Sequence, residues 1–359
     1  MKKILIGLYA VLSILSSGAV LAEDNKPKQT RATELSSTVI TPYLQDEIIA
    51  GKNQIFCSTF QIAWDILSDE IIKEPLQLSD HPQMEQMLNE RLTGVKDISG
   101  DYYLAMAGLN KDGIIEKIKN ALKAKFNEAP GIDITLDRPD DILAYTFLFK
   151  DLKFDKEFES LESSISFKGA TPVKAFGIKK YSFDEAHRSL GQQVDILDYF
   201  DDNDFILSLK SSLPQDEIIL AKIKPGKTLL ETVDSVFARI GQGKKVSLEK
   251  GDTIQIPKLD FDVLREYSEI TGKDVLNKGF NEYFISKALQ AIRFRLNEKG
   301  ALLKSEAAIA MSKGLSMDRP KYLIFDQPFL LCLKEKAGKY PYFIMWVDNA
   351  ELLLQDIAK

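Results

Sequence analysis

Apolar residues recur at helical spacing in the first third of the chain and in short continuous runs in the rest. The spacing predicts helices over 39–49 and 55–67, with the polar residues 51–53 as the break between them. A third pattern, with an apolar residue every four positions, predicts an amphipathic helix over 114–126 whose lysines form a solvated face. The segment 101–109 is predicted to be a buried strand.

After residue 140 the pattern changes to apolar runs that turn residues separate, which is typical of strands. Helices that precede a group of strands predict an α+β fold with a mostly antiparallel sheet, rather than alternating βαβ units. The predicted strands cover 142–149, 204–210, 217–223, 252–261, 288–297, 322–334 and 342–347.

The N-terminus has the pattern of a secretory signal peptide over 1–22. Lys2 and Lys3 precede an apolar stretch, and small residues lead to a cleavage site after Ala22. An uncleaved membrane anchor is the alternative, although the apolar stretch is short for a spanning helix. We therefore expect a secreted or periplasmic chain that leaves the membrane after cleavage, with a loose polar leader over 23–38 and one domain over 39–359.

Composition excludes several classes of function. The 359 residues carry a formal charge of −6, which gives no broad basic surface for nucleic acid. Two His and two Cys cannot form a Cys/His zinc cluster, and no nucleotide-binding loop or hydrolase motif occurs. We expect neither an enzyme nor a bound cofactor or metal. His81 and His187 are predicted to lie in polar surface segments.

Cys57 and Cys332 each lie in an apolar context, which predicts buried free thiols. An oxidising compartment would permit a disulfide, and the sequence leaves its geometry open. Trp64 and Trp346 are predicted to fill the core. The acidic segment 198–205 could offer oxygens to calcium, but its spacing is not that of an EF-hand, and a tight turn between two strands is the preferred interpretation.

The last seventy residues resemble the C-terminal region of serpins, in which an acidic-Gly hinge leads through an alanine-rich segment and an exposed loop to a Phe-x-x-Pro-Phe-Leu strand pair. Upstream segments resemble the same family in the correct order, over roughly residues 40–350, although Thr59 stands where proline is usual. The interval 67–142 is too short for the usual elements, so the helix that crosses the main sheet is expected to be absent. The C-terminal residues that carry the resemblance are Glu298, Lys299, Gly300, Glu306, Ala307, Ala308, Ala310, Phe325, Pro328, Phe329 and Leu330.

The resemblance implies a large central mixed or antiparallel sheet of five or six strands, further small sheets, N-terminal helices and an exposed reactive loop over 300–324. It implies a monomer that inhibits a serine or cysteine protease as a suicide substrate, because the cleaved loop inserts into the main sheet. The family interval before Phe325 places the scissile bond at Met317–Asp318, within a segment that could equally be a plain polar turn. The implied hinge residues are Glu298, Gly300, Ala301, Ser305, Glu306, Ala307 and Ala308.

The hinge permits two alignments. If insertion begins at Gly300, Ala301, Leu303 and Ser305 share one face, and Leu302, Lys304 and Glu306 share the other. If instead the family's Glu-Ala-Ala run is aligned with residues 306–308, extra residues separate this run from Gly300. Because either departs from the inhibitory pattern, a non-inhibitory serpin-like protein with a binding or structural role is the alternative function.

Overall fold

A seven-stranded sheet carries most of the core. The computed structural model describes residues 27–131, 135–243, 245–299 and 319–356. In the order of the chain, the strands of this sheet are β2 (Thr38–Thr41), β3 (Asn53–Cys57), β8 (Val194–Asp201), β9 (Asp204–Lys210), β10 (Asp216–Lys222), β15 (Phe329–Glu335) and β16 (Phe343–Val347). They are ordered β2-β3-β16-β15-β10-β9-β8. Every residue of β3, β15 and β16 is buried, as expected for strands covered on both faces.

Three smaller sheets complete the strand inventory of the described residues. Their strands are β1 (Thr30–Arg31), β4 (Tyr103–Leu109), β5 (Ile142–Leu148), β6 (Glu159–Phe167), β7 (Thr171–Ile178), β11 (Thr253–Pro257), β12 (Leu259–Glu266), β13 (Leu289–Leu296) and β14 (Tyr322–Ile324). A four-stranded sheet has the order β14-β11-β7-β6, a three-stranded sheet has the order β1-β12-β13, and β4 pairs with β5 alone as a two-stranded ribbon. These mixed sheets and few helices confirm the predicted α+β class.

The α-helices of the described ranges are short and cover the outside of the sheets. They are α1 (Thr59–Ile66), α2 (Gln83–Asn89), α3 (Ile114–Phe126), α4 (Glu185–Gly191) and α5 (Leu229–Gln242). The predicted helix over 114–126 is confirmed, and it ends at Asn127 in the left-handed conformation. None of the helices in this part of the chain is long and apolar enough to cross a membrane.

The predicted helix over 39–49 is wrong, and the one over 55–67 is right only from Thr59 onward. Residues 38–41 form β2, which pairs in parallel with β3, and α1 begins only at Thr59. Ile40 and Ile55 are buried between neighbouring strands, where β-branched side chains pack well. A strand of four residues is too short for its apolar pattern to be distinguished from helical spacing.

The second half of the predicted loose leader is part of the fold. β1 pairs in parallel with the outer edge of β12, with Thr30 opposite Val263. The Glu351 carboxylate accepts hydrogen bonds from Ser36, Ser37 and Thr38. Leu35 also packs against the main core, so both polar and apolar contacts hold this segment. The predicted signal peptide lies outside the described residues.

The two cysteines are free and buried, as predicted. Cys57 packs into the core on one face of the seven-stranded sheet, together with Ile55 and Leu331. Cys332 packs into the core on the opposite face, together with Phe56. Because successive side chains of a strand point to opposite faces, the sheet itself separates the two thiols.

Candidate functional site

The strand that leads into the predicted reactive loop is β13. It pairs antiparallel with β12 along its whole length, with Leu296 opposite Leu259. Gln290, Ile292 and Leu296 are buried on its inner face, whereas the alternate residues Arg293 and Arg295 are exposed. Within the described ranges no strand pairs with the other edge of β13. Its backbone groups are therefore available there to a further strand.

The chain is held firmly where it leaves β13. The backbone N–H of Phe158 donates to the carbonyl oxygen of Glu298 at 3.0 Å. The Glu298 carboxylate forms an ion pair with Lys258 at 2.6 Å, and the two side chains are 16% and 12% exposed. Burial disfavours the ionised form of Glu298, but the contact with Lys258 outweighs burial, so the pKa of this carboxyl lies below 4.5.

The chain is held again where the predicted loop returns. The backbone N–H of Lys321 donates to the Asp252 carboxylate at 2.8 Å, and that of Tyr322 donates to the Asp202 carboxylate at 2.9 Å. β14 then pairs in parallel with β11. The buried ammonium of Lys222 donates to the carbonyl oxygen of Ile324 at 2.9 Å. The described residues on both sides of 300–318 are thus hydrogen-bonded to packed sheets.

The β4–β5 ribbon and β13 both contact the helix α1. α1 contacts both ribbon strands. The Gln290 side chain on β13 donates to the carbonyl oxygen of Cys57 and to the Thr59 hydroxyl, both at 2.9 Å, at the start of α1. In the part of the chain that the structure describes, β5 has a strand partner only in β4. Two open strand edges, one on β5 and one on β13, therefore share one supporting helix.

This arrangement corrects one expectation from the sequence. The strand before the predicted loop was expected to border a broad sheet of five or six strands, but β13 belongs to a three-stranded sheet, and the seven-stranded sheet is a separate layer. Between α3 and β5 the described residues, 127–131 and 135–141, form no helix, and this stretch belongs to the interval 67–142 in which the helix that crosses the main sheet is expected to be absent.

Of the predicted site residues, the structure places only Glu298. The others, Gly300, Ala301, Ser305, Glu306, Ala307, Ala308, Met317 and Asp318, lie outside the described residues and remain predictions. Lys258 was not identified from the sequence as a partner of Glu298, because the two residues are distant in the chain. The pairing depends on the β12–β13 register, which only the fold establishes.

The remaining candidates have structural roles. The acidic segment forms the turn between β8 and β9, with Asp198 and Asp204 paired to Arg239, and no group of acidic, His or Cys side chains in the described ranges could hold a metal ion.

His81 is exposed in a loop, as predicted. His187 is less exposed than predicted: its ring contacts the Asp184 carboxylate at 2.6 Å and the Glu159 carboxylate at 3.3 Å. Trp64 and Trp346 are buried, as predicted.

Replacement of Glu298 by glutamine tests the ion pair between Glu298 and Lys258. We expect Glu298→Gln to lower the free energy of unfolding by about 1–3 kcal/mol, because Lys258 then lies partly buried without a counter-charge. Since the native pKa of Glu298 lies below its ordinary value, the ion pair stabilises the fold above pH 4.5, and this contribution is lost as the pH falls through the native pKa. Denaturant unfolding across this pH range measures both effects.

The double variant Glu298→Gln/Lys258→Met provides the control. The ion pair predicts that the double variant is less destabilised than the sum of the two single variants. Strict additivity would contradict a direct contact between the two side chains.

Comparison with known proteins gives similarity in fold alone. No protein-family model matches the chain, and no curated protein matches it significantly. Among solved structures, the chain is similar to human thyroxine-binding globulin complexed with its hormone, with 15% identity, a TM-score of 0.46, and coverage of 83% of this chain and 92% of that chain. It is similar to Serpin48, a highly specific serpin of the insect Tenebrio molitor, with 13% identity, a TM-score of 0.42 and coverage of 84% and 92%.

A second thyroxine-binding globulin structure matches with 15% identity and a TM-score of 0.39, and covers 67% of this chain. The present chain spans 65% of the length of that protein. The solved structures that match include a serpin, the family that the sequence resembles. Identities and TM-scores this low carry no conclusion about activity.

Proposed function

We propose that the chain is an exported, monomeric peptidase inhibitor that acts as a suicide substrate. A serine or cysteine protease cleaves the loop after β13, and the freed segment adds as a strand beside β13. The observation that carries this proposal is the open edge of β13, which continues through the anchored Glu298 directly into the loop. The insertion gives the backbone groups of this edge their hydrogen-bond partners.

The dimensions of the open edges fit one inserted strand. β13 has eight residues and β5 has seven, so a strand between them needs about eight residues at ~3.4 Å each. If insertion begins at Ala301, Ala301 and Ser305 face inward, whereas Lys304 and Glu306 face outward. The outer face of β13 already carries the exposed residues Arg293 and Arg295. Charged residues are therefore acceptable on the outer face of the inserted strand.

The test is incubation of the mature chain with elastase-, chymotrypsin-, trypsin- and papain-like proteases, followed by a denaturing gel. We expect a complex that resists SDS and a melting temperature that rises after cleavage. Ser305→Arg, on the inward face, is expected to convert the inhibitor into a substrate. Glu306→Arg, on the outward face, is the matched control and is expected to retain the complex.

A scaffold without inhibitory activity is the competing function, and the charged residues of the hinge favour it. Clean cleavage by every protease, with no complex and an unchanged melting temperature, would establish this alternative and overturn the inhibitor.

A further inference from the structure

A buried lysine lies where the β4–β5 ribbon meets the seven-stranded sheet. Lys150 follows β5, and its side chain is only 2% exposed. Its ammonium contacts both carboxylate oxygens of Asp216 at 2.9 and 2.8 Å and one oxygen of Glu335 at 2.6 Å. The two carboxylate side chains are 0% and 9% exposed. Such a cluster, once formed, is costly to break because each charge would lose its partner away from water.

The cluster connects two separate sheets. Lys150 and Tyr102 lie at one end of the ribbon, and the Lys150 ammonium is 3.5 Å from the centroid of the Tyr102 ring. This end is closed by a hydrogen bond from the Phe149 N–H to the Tyr102 carbonyl oxygen. Asp216 begins β10 and Glu335 ends β15, and the two residues are opposite each other in the seven-stranded sheet. The cluster is therefore a point of attachment between the ribbon and the main core.

The rest of the ribbon is attached less firmly. All residues of β4, and all of β5 except Tyr145, are only partly buried. The ribbon packs on α1, and neither β4 nor β5 has a further strand partner among the described residues. Beyond the far end, Lys287, which precedes β13, donates an exposed hydrogen bond of 3.3 Å to Thr135. Because a two-stranded ribbon with partly buried side chains has fewer interstrand hydrogen bonds and less buried apolar surface than the seven-stranded sheet, it opens at a lower free energy and can move about the end that the cluster holds.

The cluster contains one cation and two carboxylates. The other groups that face it are the Tyr342 hydroxyl, which donates to Asp216 at 3.0 Å, the Ser99 N–H, which donates to Glu335 at 2.9 Å, and the ring of Tyr102. Burial raises the pKa of Asp216 above 3.8, and the charge of Glu335 acts in the same direction, while Lys150 opposes both. Because the native state then binds a proton more readily than the unfolded state, acidification toward the native pKa stabilises the cluster.

We propose that Lys150, Asp216 and Glu335 form a latch about which the β4–β5 ribbon moves, and that the excess carboxylate makes the latch weaker at neutral pH than in mild acid. Movement of the ribbon changes the width of the gap between the open edges of β5 and β13. The link to loop insertion rests on the proposed function, but the latch itself does not.

Hydrogen exchange measured by mass spectrometry on the full mature chain tests the latch without any protease. After correction for intrinsic rates, we expect ribbon amides to exchange at least about tenfold faster in Lys150→Met, while β15 and β16 stay protected. Lys153→Met, which removes a neighbouring lysine that is 33% exposed, is the matched control and is expected to leave ribbon exchange unchanged.

Glu335→Gln keeps the shape of the side chain, removes the excess charge and carries the test if Lys150→Met does not fold. It is expected to slow ribbon exchange at neutral pH and to reduce the further slowing that the parent shows when the pH is lowered from neutrality into mild acid. The proposal is overturned if Glu335→Gln leaves ribbon exchange and its pH dependence unchanged, or if ribbon and sheet amides always exchange together. A failure to inhibit proteases would leave these outcomes unaffected.

Discussion

Replacement of Gly177 by alanine is expected to destabilise the fold by more than about 3 kcal/mol. Gly177 lies in β7 with a φ of +149°, a conformation that residues with a Cβ atom rarely adopt. An added Cβ would lie 2.1 Å from the carbonyl oxygen of Ile254 in β11. β7 is paired with β6 on its other side, so the backbone cannot move away without breaking one of two strand pairings.

Urea unfolding of the variant measures this effect, and Gly100→Ala is its matched control. No atom lies within 4 Å of a Cβ built at Gly100. We expect the control to change the free energy of unfolding by less than about 1 kcal/mol. If Gly177→Ala were as stable as the control, the close approach of β7 and β11 would be wrong.

The second large effect is expected at Phe329, in the strand that follows the returning end of the loop. Its ring is fully buried and packs against Phe325, with 5.1 Å between ring centroids, and against Phe167 at 6.4 Å. Phe329→Ala should cost about 3–5 kcal/mol, because it removes a large apolar group and leaves a cavity between two sheets. The midpoint of denaturant unfolding is the measurement.

Phe200→Ala is the matched control for Phe329→Ala, since it removes the same group from a side chain that is 80% exposed. Its effect is expected to stay within about 0.5 kcal/mol. Equal losses in the two variants would contradict the assignment of Phe329 to the core.

Patterns of apolar residues located most of the strands, because turn residues bound them, but the single strands predicted over 252–261 and 322–334 each divide into two strands of different sheets. β9 follows the predicted 204–210, and α3 follows the predicted 114–126. The same reasoning failed over 39–49, where a short strand, Thr38–Thr41, is followed by turns, and the apolar residues of both segments together imitate helical spacing. The division of the strands into sheets was not predictable, because it depends on pairing between segments that are distant in sequence.

The sequence predicted Glu298 as a residue of the candidate site, but it did not predict the ion pairs that hold the site in place. Glu298 was identified through the order of motifs around it. Lys258 and Lys150 were not, since each acquires its role only from a partner that the fold brings close. A charged residue that is buried through long-range pairing has the same local sequence signature as a surface residue.

The position of the two thiols on opposite faces of one sheet has a consequence for handling the protein. A crosslink between Cys57 and Cys332 can form only in the denatured chain, and once formed it is incompatible with the native layers. Refolding from denaturant should therefore recover native protein when a reductant is present and lose yield to a trapped, oxidised form when it is absent.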